Sequence, residues 1–191
     1  MSSLQKFHRR TNSGAAPLTY PTLPIGTGDT NKGYVMGATG TVAGVNTHNL
    51  WIGPSTTYIG TAGWGSPNVL RNATSAQDGL ANTNILSAFG ASSSTGHPPA
   101  ASLRALTTGG YNTWYMPSIN ELKTICANMG SLPTAEKINV SAANFYGSST
   151  EINAASFYRC NMDTVTTTPS VITDGKTTGE LNGYRAVRRS V

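Results

Sequence analysis

The chain has 191 residues, of which only 11% are charged, with 21 glycines and a formal net charge of +5. That length suits one domain with an extension. Charge is well below the roughly 25% of ordinary soluble domains, and Thr, Ser, Asn, Ala and Gly take its place. Gly, Asn and Thr are poor helix formers, so a bundle of long helices is excluded and coil with short strands is expected.

Residues 1–24 carry Lys6, His8, Arg9 and Arg10 and then Pro17, Pro21 and Pro24. Prolines at that spacing keep a segment extended, so an arm without a core of its own is expected. From Ile25 the character changes, and 25–191 is taken as the domain. Gly33–Ala38 and Asn49–Gly53 read as two short strands around a Gly/Thr/Asn turn containing His48. Tyr58–Gly60 and Trp64-Gly65 read as loop with aromatic anchors. A first helix is predicted over 75–89: Ser75 and Asp78 give an S-x-x-D start, and Ala81, Ile85 and Phe89, with Leu86 beside them, form its apolar stripe. A second helical piece is predicted over Pro99–Leu106, with proline in its first turn.

Gly109-Gly110-Tyr111-Asn112-Thr113-Trp114-Tyr115-Met116-Pro117-Ser118-Ile119-Asn120-Glu121-Leu122 is the most structured stretch. Pro117 forbids helix before it, and Ser118 with Glu121 has the spacing of a capping box, which predicts a third helix over 119–129. Ile119, Leu122, Ile125, Cys126 and Met129 form its stripe, and Gly130 stands where a left-handed cap belongs. Trp114, Tyr115 and Met116 read as core. Beyond Pro133 the chain turns to strands: Phe145–Ser149, then Ser156–Met162, whose alternation puts Tyr158, Cys160 and Met162 on one face and Phe157, Arg159 and Asn161 on the other. The threonine-rich 164–178 reads as hairpin or loop, and Gly183–Arg189 as a closing strand. Glu151, Arg185 and Arg188 are candidates for buried ion pairs that tie that strand down.

These elements, in this order, resemble the Lcl C-terminal domain family, a bacterial and phage branch of the C-type-lectin-like fold shared with formylglycine-generating enzymes. The resemblance covers roughly 25–191. It rests on Ile25–Asp29 with Gly33–Met36, Ala62–Gly65, Gly79–Asn84, Gly109–Leu122, Phe145–Glu151 and Tyr184–Arg188. It implies an α+β, C-type-lectin-like fold of short twisted antiparallel strands, two or three helices and much coil. Gly147 departs from the family pattern, which has Trp there. In the phage and bacterial relatives the region before the final strand contacts ligands, which directs attention to 141–163.

That segment is rich in Ser, Asn, Tyr, Phe and Gly, the mixture that recognition loops favour. Asn144, Tyr146, Asn153, Ser156, Tyr158 and Asn161 are therefore the candidate ligand-binding residues. Trp114, Pro117, Ser118, Glu121, Glu151, Arg185 and Arg188 are assigned to the scaffold. No catalytic group is expected: His8, His48 and His97 lack an acid–base context, and no G-x-S-x-G or H-E-x-x-H occurs. The sequence gives neither cofactor nor metal ligation, since Cys126 and Cys160 sit in no C-x-x-C or Cys/His cluster and the calcium-lectin motifs are absent. The two cysteines read as buried thiols in preference to a redox pair.

The basic start allows nucleic-acid binding, but aromatics do not interleave with the cations as strand binders require. Docking of the arm on other proteins through Lys6, Arg9 and Arg10 is the favoured reading. No run approaches the about 18 apolar residues of a membrane span, and no apolar run follows the N-terminal charges as in a secretory signal. The expectation is a non-catalytic bacteriophage protein on the virion surface. It would be a capsid or tail decoration or attachment component, multicopy or homo-oligomeric, in contact with a host glycan or protein. The alternatives are a dedicated receptor-binding adhesin and, third, a secreted bacterial adhesin.

Overall fold

A computed structural model describes residues 23–190 apart from 43–44, 66–67, 93, 138–144, 162–169 and 177–181; for 40–42, 45–47, 61, 161 and 170–172 only the backbone is described. The architecture is α+β. Nine strands form two sheets among the described residues: β1 (Gly28–Asp29), β2 (Gly33–Val42), β3 (Val45–Ile52), β4 (Tyr58–Ala62), β5 (Phe145–Glu151), β6 (Ser156–Asn161), β7 (Ser170–Gly175), β8 (Asn182–Arg185) and β9 (Val187–Ser190). The first sheet has the order β1-β2-β3-β9 and the second β4-β8-β5-β6-β7. Pairing is antiparallel except between β5 and β8, which meet in parallel at Tyr146 and Gly183. The helices are α1 (Gly79–Ser87), α2 (Pro98–Arg104) and α3 (Ile119–Asn128).

The chain reads longer strands than its sequence suggested. Gly33–Ala38 and Asn49–Gly53 belong to one hairpin, β2–β3, whose register runs from Tyr34↔Ile52 to Val42↔Val45, and His48 lies in β3 rather than in a turn. Tyr58–Ala62 is a strand, not a loop. The 164–178 segment contributes β7, paired along β6 from Asn161↔Ser170 to Ser156↔Gly175. The closing strand is two strands: β8 ends at Arg185, and after Ala186 β9 joins the other sheet beside β3. The last segment of the chain thereby stitches the sheets together.

The third helix starts as expected. Ser118 Oγ accepts the Glu121 amide at 3.3 Å, and Glu121 Oε2 accepts the Ser118 amide at 2.9 Å, which completes the capping box. Ile119, Leu122, Ile125, Cys126 and Met129 are all buried. Gly130 does not provide a left-handed cap; the helix tightens instead into a 3-10 turn over Met129–Ser131. α3 touches β2 of one sheet and β5 and β6 of the other. At the β2 bulge between Val35 and Gly37, Gly37 has φ +142° and a Cβ there would come within 2.6 Å of Thr124 on α3. Asn128 Nδ2 donates to the Met36 carbonyl at the same crossing. A side chain at 37 would hold the helix off the sheet.

α1 corrects the predicted pattern in two ways. It begins at Gly79, with Asp78 as the cap accepting the Ala81 amide at 2.9 Å, while Ser75 Oγ accepts the Asp78 amide one turn earlier. Its buried face is Gly79, Asn82, Thr83 and Leu86, while Ile85 and Phe89 are exposed. The helix packs against α2 and β5, and its polar side chains bond the backbone of the flanking segments. Asn82 exchanges hydrogen bonds with both backbone groups of Ser75, and Thr83 Oγ1 accepts the Met116 amide while donating to the Gly79 carbonyl. α2 starts at Pro98, with both prolines in its first turn and His97 as its cap.

Two apolar clusters fill the interior. One joins Met36, Leu50, Ile52, Tyr115, Leu122, Ile125, Cys126, Tyr146, Cys160 and Val187. The other joins Trp64, Leu86, Leu103, Trp114, Met116, Phe157 and Tyr184. Trp114, Tyr115 and Met116 are fully buried, as expected; burial of each such side chain contributes about 1.5–3 kcal/mol. Tyr115 pairs with Val187 of β9 through reciprocal 2.8 Å backbone bonds, so the Gly109–Leu122 stretch and the last strand bind each other directly. Gly147 is also explained: the Tyr184 ring occupies the space into which a side chain at 147 would project.

Candidate functional site

Among the described residues three glutamates are buried, and each is surrounded by donors. Glu121 is the first. Besides the Ser118 amide, its Oε2 accepts the Gly79 amide at 3.1 Å. Its Oε1 accepts the Thr39 hydroxyl at 2.7 Å and the Tyr115 hydroxyl at 2.9 Å, and Arg189 lies 3.5 Å away while bonding Asp78 at 2.6 Å. Burial, and then the Glu121 charge, hold the Tyr115 phenol well above its usual value, so it is a neutral donor. One carboxylate thus ties α3 to β2, to the start of α1 and to the end of β9.

Glu136, in a 3-10 turn over Thr134–Glu136, is the second. It accepts the Ser55 amide at 2.7 Å and the Arg185 guanidinium at 2.9 Å; Arg185 also donates to the Gly53 and Glu136 carbonyls. Glu151, at the end of β5, is the third. It accepts the amides of Arg71 at 3.0 Å and Ala73 at 2.8 Å and pairs with Lys176 at 2.5 Å, both side chains fully buried. Lys176 Nζ also donates to the Val69 carbonyl and lies 4.7 Å from the centre of the Trp64 ring. Burial pushes the Lys176 ammonium down, and Glu151 opposes that shift.

Glu151 and Arg185 are therefore in buried ion pairs, with partners that sequence reading missed. Arg188 is the correction: it is buried, but its guanidinium stacks on Tyr111 at 3.8 Å and Trp51 at 4.2 Å and is not in an ion pair with Glu151. Aromatic faces offset part of the cost of burying such a cation.

His97 sits against Trp64, ring centres 4.2 Å apart and edge-on. Its Nδ1 accepts the Ala100 amide, so the neutral ring carries its proton on Nε2. Burial, supported by the nearby Lys176 charge, pushes its pKa down to about 3 from 6.5. The unfolded chain then binds a proton that the folded chain refuses, so stability is complete above about pH 6.5 and falls by about 1.4 kcal/mol per pH unit as pH drops toward 3. His97→Asn keeps a capping oxygen and removes the titration. Urea unfolding between pH 4 and 7 is expected to show a shallower pH slope in H97N than in the parent.

The candidate ligand-binding residues are divided by the structure. Tyr146 is 1% exposed and packs in the first core cluster against Tyr58, so it is not a contact residue. Asn153 is exposed, but its Oδ1 accepts the Ala155 amide, the Ser156 amide and the Ser156 hydroxyl, all within 2.9 Å. Both residues build the β5–β6 turn, which Lys176 N also clasps through the Ala155 carbonyl. Tyr158 is half-buried opposite the exposed Thr173 of β7. On the other face Arg159 pairs with Asp174 and stacks on Phe145 at 3.9 Å. Asn144, Met162 and the anchoring residues Lys6, Arg9 and Arg10 lie outside the described residues, as does the Asn161 side chain.

Sequence reasoning missed Lys176, Glu136 and Arg189. Nothing local marks Lys176 and Glu136 as buried or singles out the half-buried Arg189, because their partners lie 25, 49 and 68–111 residues away. Among the described residues no group of three or more His, Cys, Asp or Glu is arranged to hold a metal ion, and no helix is long and apolar enough to cross a membrane. No family model, curated protein or solved structure matches the chain.

Proposed function

We propose that this chain is a non-catalytic surface component of a bacteriophage particle: a C-type-lectin-like domain, fastened through its basic N-terminal residues, that presents the β5–β6 turn and the β6–β7 face outward. The observation that carries the reading is how the ionisable groups are used. Glu121, Glu136 and Glu151 are each saturated by backbone amides, hydroxyls and cations from distant segments, which makes a stiff scaffold and leaves no poised acid–base pair among them. Outside, the β5–β6 turn and its flank offer Asn153, Ser156, Tyr158 and Thr173 on regular, hydrogen-bonded backbone. Rigid presentation of Tyr with Asn and Ser suits recognition of a glycan or a protein surface. The same turn favours the second reading, a dedicated receptor-binding adhesin.

Two variants separate these roles. Deleting 1–24 is expected to release the protein from purified particles while the domain's Tm is retained; a truncated protein that stays on particles overturns the anchoring role. Tyr158→Ala is expected to weaken binding of the purified chain to intact host cells by about tenfold or more, the loss typical of an aromatic anchor, with little change in Tm. Unchanged cell binding in Y158A, with the truncation still released, leaves a decoration component and removes the adhesin reading.

A further inference from the structure

The two cysteines come from segments 34 residues apart, yet their sulfurs lie 3.2 Å from each other, Cys126 on α3 and Cys160 on β6. Both are buried, Cys160 completely, within the first core cluster. The contact sits where the helix that carries the Glu121 hub meets the second sheet. We infer that Cys126 and Cys160 are an oxidation site, at which a hydroperoxide converts the adjacent thiols to an intramolecular disulfide that locks α3 onto β6. This chemistry does not depend on what the outer surface binds or on where the protein resides.

The hydrogen bond between the thiols, and then burial, push Cys126 up, while the same hydrogen bond and the Lys123 charge pull Cys160 down against its burial. Cys160 acts as the first nucleophile; the same balance holds with the two thiols exchanged. The Cys160 thiol gives up a proton, and the thiolate attacks one oxygen of the hydroperoxide; the O–O bond breaks to leave a sulfenic acid and hydroxide, or alkoxide, which takes the proton. Cys126 then attacks the Cys160 sulfur and loses its own proton, and the S–O bond breaks with release of water. With hydrogen peroxide the sum is two thiols and one peroxide giving one disulfide and two waters. A small oxidant suits the site, because burial excludes bulky disulfide reagents.

The test uses the full chain, purified reduced, treated with hydrogen peroxide, quenched and mapped by mass spectrometry without reduction. The expected product is a single linked peptide pair containing Cys126 and Cys160, two hydrogens lighter than the separate thiols. Closing a loop of this size is expected to raise Tm by roughly 6–12 °C, reversed by dithiothreitol. In Cys126→Ser, Cys160 is expected to stop at the sulfenic acid, trapped by dimedone added together with denaturant after the peroxide is removed. The inference is overturned if the wild-type map shows two intact thiols, sulfinic acid without a link, or links only between chains. A link formed without a rise in Tm overturns the locking of α3. The wild-type map decides even if the serine variant fails to fold.

Discussion

Glu151→Ala is expected to destabilise the domain by about 4–5 kcal/mol, lowering Tm by roughly 10–15 °C. Removing one partner of a fully buried pair leaves Lys176 with the Val69 carbonyl as its remaining hydrogen-bond acceptor and the Trp64 face beside it. It also strips the acceptor from the Arg71 and Ala73 amides. An isolated buried ion pair can be replaced by two apolar residues at little cost. Here the double variant E151L/K176M is expected to remain destabilised, because an unsatisfied buried amide costs about 1–3 kcal/mol. Chemical denaturation with the single and double variants checks this. A double variant as stable as the parent would mean that the backbone bonds to Glu151 carry no stability.

Glu121→Ala has the second large effect, a loss of about 3–4 kcal/mol, chiefly from orphaned buried donors. Its carboxylate joins Thr39 of β2, Tyr115, the Ser118 cap and the first amide of α1. Loss of the cap alone costs about 1 kcal/mol, so an effect of that size would reduce Glu121 to the helix-capping role its spacing announces. Glu121→Gln keeps one acceptor oxygen and is expected to fall between the two. Hydrogen exchange of E121A should show faster exchange at the starts of both α1 and α3, since a single group caps the two helices.

That contrast indicates how far the residues reveal the structure. The α3 start was readable because a capping box is a contact over three positions, and the apolar stripe that follows has helical spacing. Burial of Trp114–Met116 was readable for the same local reason. The hub that Glu121 makes was not, because Thr39 lies 82 positions away. On α1, apolar periodicity pointed to the wrong face, since the face that meets α2 and β5 carries Asn82 and Thr83, which bond the backbone of Ser75 and Met116. Arg185 and Arg188 were legible as buried but their surroundings were not: one lies on Glu136 and the other between aromatic rings. Lys176, in a threonine-rich segment, carried no sign of its burial.

The candidate contact surface was legible as a composition and only partly as positions. A Tyr/Asn/Ser mixture describes a recognition loop and a well-hydrogen-bonded turn equally well. Tyr146 and Tyr158 are twelve positions apart and share one face of the sheet, yet Tyr146, opposite Cys160, is buried in the cluster with α3, while Tyr158, opposite Thr173, is half-buried. Asn153 and Ser156 spend their oxygens on the turn itself, which fixes where Tyr158 stands and narrows the contact set to that edge of the sheet.

The proposed function places this stiff, carboxylate-pinned domain on a virus particle. Quantitative mass spectrometry of density-purified phage particles, from a lysate that contains the chain, tests it most directly when paired with antibody labelling of intact particles. The account predicts the chain at a fixed, multiple copy number per particle, with the β5–β6 turn open to antibody. Particles that lack the chain, while infected cells contain it, would contradict the account.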